Sequence, residues 1–67
     1  MNELNTYYKV YTLTPKGGFT QKYEGTEEVE ALKAYNKLAD RNLPRQLGRK
    51  EGHLYQSVMS GGGFPQN

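Results

Sequence analysis

Apolar and aromatic residues along this chain gather into short runs with turn signals between them, and the spacing within a run shifts from a period of two to the helical period and back. Residues 6–14 read Thr-Tyr-Tyr-Lys-Val-Tyr-Thr-Leu-Thr, dense in β-branched and aromatic types whose stiff χ1 torsions and flat faces suit a pleated surface. They predict a first strand. Pro15 presets φ for a turn and Gly17 and Gly18 tolerate positive φ, so a hairpin follows. Residues 19–24 alternate, placing Phe19 and Tyr23 on one face and Thr20, Lys22 and Glu24 on the other. This second strand ends at Gly25.

Thr26 is suited to cap a helix, and Glu27, Glu28 and Glu30 follow where the positive end of the macrodipole favours carboxylates. At the helical period Ala31, Leu32, Tyr35, Leu38 and Ala39 share a side with Val29 at its margin, while Lys33, Lys37 and Arg41 ride opposite. Pro44 disfavours helical geometry before it, so the helix stops near Asn42 or Leu43. Residues 44–52 show no period and predict a basic loop with room for a short helical turn around Leu47. Residues 53–60 alternate again, Leu54, Gln56 and Val58 against His53, Tyr55, Ser57 and Met59, and predict a third strand.

The expected architecture is therefore α+β: a β-β-α-β domain over residues 1–60, its three-stranded antiparallel sheet carrying one helix on one face. Residues 61–67, opening with three glycines, are expected to form a flexible tail. Strand one turns Tyr8 and Val10 one way and Tyr7, Tyr11 and Leu13 the other. One helix covers one face only. An aromatic group is thus left exposed or awaits a partner.

Composition narrows the class. A 67-residue chain buries only about 60% of its unfolded surface, so stability should be modest and a partner would add to it. The hydrophobic fraction is 34% and the mean hydropathy −0.94, but the grouping of the apolar residues argues for folding over disorder. With no cysteine there is neither a disulfide framework nor a thiolate nucleophile, which points to a reducing cytoplasm. Residues 1–5 lack a basic segment leading into an apolar one, and no run approaches the roughly 20 apolar residues of a membrane span. No membrane partner is expected. The net charge of +2 and isoelectric point near 9.0 are mild, yet the charges are polarised. Glu24, Glu27, Glu28 and Glu30 cluster in the first half, and Arg41, Arg45, Arg49 and Lys50 fall in a stretch without acids.

Six tyrosines stand out, because tyrosine buries a large ring while its hydroxyl still finds a partner, which enriches it in interfaces. The candidate partner-binding residues are Tyr7 and Tyr11 on the open sheet face, with Lys33, Lys37, Arg41, Arg45, Arg49 and Lys50 as a charged rim. His53 is the single histidine, and the glycine runs lack Walker or dinucleotide spacing, so no metal, cofactor or catalytic residues are expected. The leading expectation is a non-enzymatic protein-binding module. The alternative is a small nucleic-acid-binding domain with sheet tyrosines stacking on bases and the basic stripe tracking phosphates. Burial of the uncovered face in a homodimer is compatible with either.

The hairpin Tyr8-Lys9-Val10-Tyr11-Thr12-Leu13-Thr14-Pro15-Lys16-Gly17-Gly18-Phe19 leads into Lys22-Tyr23-Glu24-Gly25-Thr26-Glu27-Glu28-Val29-Glu30-Ala31-Leu32-Lys33-Ala34-Tyr35. In element order over residues 6–60 this layout resembles small bacteriophage accessory proteins. The resemblance implies a minimal scaffold that inhibits or redirects a host enzyme or defence complex in the host cytoplasm, proteins of the anti-CRISPR type included.

Overall fold

The computed structural model describes residues 6–65. Its elements are β1 (Thr6–Leu13), β2 (Phe19–Gly25), α1 (Glu28–Asp40), β3 (Arg45–Glu51) and β4 (Leu54–Gly61). The strands form one antiparallel sheet in the order β2-β1-β3-β4, and α1 packs across β1, β2 and β3 on one face. The expected three-stranded β-β-α-β layout is thus corrected to a four-stranded β-β-α-β-β one. The basic loop expected over residues 44–52 supplies a central strand instead.

Residues of β3 hide their character because the sheet completes them. Only Leu47 is apolar; it lies buried under the helix opposite Val10, and the long stems of Arg45, Gln46, Arg49 and Lys50 flank it. Gly52 and His53 then close a two-residue hairpin between Glu51 and Leu54, with Gly52 at φ 60°, as the first central residue of a type II′ turn requires.

Helix α1 starts one residue later than a Thr26 cap implies. Glu27 occupies the N-cap without a side-chain cap bond, and the Tyr23 hydroxyl donates to the Glu27 carbonyl at 3.3 Å. Its end is a Schellman motif: Asn42 takes φ 57°, its N–H donates to Ala39 O at 2.9 Å, and the Leu43 N–H donates to Leu38 O at 3.0 Å. Pro44 follows, and its carbonyl accepts from the buried Thr12 hydroxyl at 2.6 Å. This bond ties the chain leaving the helix to the centre of the sheet. Val10, Ala31, Tyr35, Leu38 and Leu47 make the core, with Tyr8, Tyr23, Leu32, Ala34 and Leu43 packed around it.

Two β-bulges overturn the expected face assignments. In β2 the register passes from Val10↔Tyr23 to Tyr11↔Gln21, leaving Lys22 as the extra residue. Phe19 and Tyr23, expected on one face, therefore stand on opposite faces. In β4 the register passes from Gly48↔Ser57 to Leu47↔Met59, leaving Val58 extra. Tyr55 and Met59 are separated in the same way. Within residues 61–67, expected to be a flexible tail, Gly61 closes β4 and Phe64 is buried with its ring centroid 5.5 Å from that of Phe19. Residues 66–67 of that expected tail lie outside the described residues, as does segment 1–5.

Candidate functional site

The sheet face away from the helix is built in cross-strand rows. Tyr7, Lys50 and Tyr55 form one row; Glu24, Lys9, Gly48 and Ser57 the next; Gln21, Tyr11, Gln46 and Ser60 a third; Phe19 and Leu13 the last. Directly opposed residues in antiparallel strands point to one side, so the face follows from the register. Among the described residues no helix packs on these rows, and the segment that brings Phe64 to Phe19 reaches one end of them.

Tyr11, Phe19, Gln46, Tyr55 and Phe64 enclose a shallow groove of about 340 Å³ on this face. Tyr55 shapes it. Its ring reclines over Gly48 so closely that a Cβ there would collide with the phenol, and its hydroxyl donates to Gln46 Oε1 at 2.9 Å. The ring meets Tyr11 edge-on, centroids 6.5 Å apart. Burial pushes the Tyr55 phenol above the usual tyrosine value of 10.0, and the neighbouring Tyr11 adds to the rise. The groove is thus mostly aromatic with a single amide and two hydroxyls, which suits an apolar or aromatic side chain of a partner more than a charged one.

Beside the groove, β4 is the edge strand of the sheet among the described residues. It carries no charged residue and exposes Leu54 at 57% and Val58 at 53% along with Tyr55 and Met59.

Of the residues singled out in the sequence, Tyr7 and Tyr11 lie on this open face, with Lys50 in the row of Tyr7. The remaining cations are elsewhere. Arg49 sits on the helix side of β3, bonded to Glu51 at 2.6 Å. Arg45 turns inward: its Nη1 donates to Leu43 O at 3.0 Å, its guanidinium stacks 5.3 Å from the Tyr35 ring centroid, and its Nε is buried without a hydrogen-bond partner among the described residues. Lys33, Lys37 and Arg41 line a second cleft, between α1 and β2, on the far side of the sheet. The basic stripe of the sequence is therefore four separate features.

Phe19, Gln46, Tyr55 and Phe64 were not legible as site residues. The bulges hid the facing of Phe19, the missed strand hid Gln46, and Phe64 sits in a glycine-rich stretch whose one ring had no visible counterpart.

Among the described residues no three His, Cys, Asp or Glu side chains group as metal ligands would, and no helix is long and apolar enough to cross a membrane. Compared with known proteins, the chain matches no protein-family model, no curated protein and no solved structure.

Proposed function

We propose that this chain is a protein-binding module that docks its partner on the open sheet face, with Tyr7, Tyr11, Phe19 and Tyr55 as anchors and Lys50 at the rim. The observation that carries this reading is the uncovered aromatic groove contiguous with an uncharged edge strand. Aromatic side chains in a desolvated pocket dominate the energy of most interfaces, and a rim cation adds orientation more than affinity. A host enzyme or defence complex, the class of partner that the likeness to phage accessory proteins implies, is one protein such a surface would serve.

Base stacking by the sheet tyrosines is the weaker reading. It asks for cations beside the rings to hold the phosphates; on the open face Lys9 is already paired with Glu24 at 3.6 Å, which leaves Lys50 in the row of Tyr7. Lys33, Lys37 and Arg41 are across the sheet.

The test is affinity capture from the native cell with wild-type chain and with Tyr11→Ser and Phe19→Ser variants whose circular dichroism is unchanged. A partner retained at about 0.5 M salt, where exposed charges are screened within a few ångström, and lost by the variants supports the reading. Capture that vanishes in salt, or that ignores both variants, sinks it, as does tight retardation of an oligonucleotide by the wild-type chain alone.

A further inference from the structure

The bulge in β2 has a second effect. Its extra residue, Lys22, joins Lys33, Lys37 and Arg41 around the cleft between β2 and α1, a space of about 410 Å³ whose other lining residues are Tyr23, Glu30, Ala34 and Leu38. Bulges commonly re-aim a side chain. Four cations against one carboxylate leave three positive charges in excess here, more than the +2 of the whole chain, so the remainder of the molecule is net acidic. Asp40 adjoins Arg41 in sequence but does not line the cleft.

Complementing the helix dipole accounts for Lys37 and Arg41, which stand at the C-terminal turn, but not for Lys33 in mid-helix or for Lys22 on another element. Lys33 pairs with Glu30 at 3.5 Å; Lys22, Lys37 and Arg41 have no ion pair among the described residues. Three like charges held around one cleft without counter-ions repel one another, and an anionic occupant relieves that. The floor adds the second element of recognition, since Tyr23, Ala34 and the buried Leu38 offer apolar surface between the charges.

We propose that this cleft binds an acidic polypeptide segment, its carboxylates on Lys22, Lys33, Lys37 and Arg41 and one apolar side chain on the Tyr23–Ala34–Leu38 floor. A phosphate polymer would use the cations but not the apolar floor, and its bases would find a single ring, Tyr23, in place of a stacking row, because the open-face tyrosines lie across the sheet. The site is independent of the aromatic groove, and either stands without the other.

The experiment is an NMR titration of the full chain with three probes: a ten-residue peptide alternating Glu and Leu, oligoglutamate of equal length, and inorganic polyphosphate. Expected are shifts at Lys22, Ala34, Lys37, Leu38 and Arg41, tighter binding of the Glu-Leu peptide than of either other probe, and weakening as salt rises. Lys22→Gln together with Lys37→Gln, both exposed positions, should weaken the peptide about tenfold, the loss of two partly desolvated ion pairs, and leave circular dichroism unchanged. Polyphosphate binding as tight as the peptide overturns the proposal in favour of a phosphate ligand, and equal binding of oligoglutamate overturns the role of the floor. Shifts confined to the open face, or salt-sensitive self-association by sedimentation that fills the same cleft, overturn it as well.

Discussion

The two edge strands of this sheet meet the same hazard in opposite ways. Among the described residues both β2 and β4 stand at an edge of the sheet and carry one bulge, but the extra residue is Lys22 in β2 and Val58 in β4. β2 has helix α1 packed against it and charges at Lys22 and Glu24; β4 has neither helix cover nor a charged residue. Lysines, bulges and covering elements are the usual means by which an edge is kept from pairing with another chain. The β2 edge is defended, and the β4 edge is open. Within one small sheet the two edges thus differ in cover and in charge.

The widest test asks whether the two edges belong to one cooperative unit. Leu47→Ala should cost about 2–5 kcal/mol, because the side chain is buried and joins β1 to β4 through Val10 and Met59. Urea denaturation measures the loss, and hydrogen exchange should show protection falling in β2 and β4 together. Loss in β4 alone would mean that the open edge unfolds by itself.

Gly48→Ala is the next largest, at about 1–3 kcal/mol of overpacking, since the new methyl expels the Tyr55 ring. Its effect should be confined to β4, whose amides exchange faster while those of β2 are unchanged, and Tyr55→Ser in the same chain should restore part of the loss. Equal disturbance of both edges would refute the local reading.

Ionisation reports on the same ring. Because the folded chain raises the Tyr55 pKa, its phenol adds stability that is complete below the unfolded value and is lost as pH rises through the folded one. Thermal melts from about pH 9 to 11 should therefore fall more steeply for the wild-type chain than for Tyr55→Phe. Parallel curves would remove Tyr55 from the account.

The smallest change in stability carries the sharpest comparison. Val58→Lys gives the open edge the device that β2 already has, and at a 53% exposed position it should alter stability by no more than about 0.5 kcal/mol. Association or heat aggregation of the concentrated protein, followed by sedimentation, should fall. If the wild-type chain is no more prone to associate than this variant, the bare edge is not a liability.

How much of this was legible depended on whether a residue's role was local. The hairpin at Pro15–Gly18, the capable helix former over residues 28–40 and its stop before Pro44 rest on propensities a few residues wide, and they were readable. Strand β3 was not. Arg45, Gln46, Gly48, Arg49 and Lys50 gain their strand environment from β1 and β4 on either side, from the helix over Leu47 and from Tyr55 over Gly48. The uncovered Tyr7–Tyr11 face was readable because two opposed apolar faces on one strand exceed what one helix covers. The groove was not, since Gln46, Tyr55 and Phe64 reach it only through pairing.

By itself, then, the sequence determined an α+β domain with one amphipathic helix, a hairpin before it, and more aromatic surface than that helix can bury. The tertiary structure decided the fourth strand, the split of the basic stripe into four places, and the faces of Phe19 and Met59. The reason is the period of a strand: an unpaired residue shifts every later side chain to the other face, and whether Lys22 or Val58 is paired is a property of the neighbouring strand.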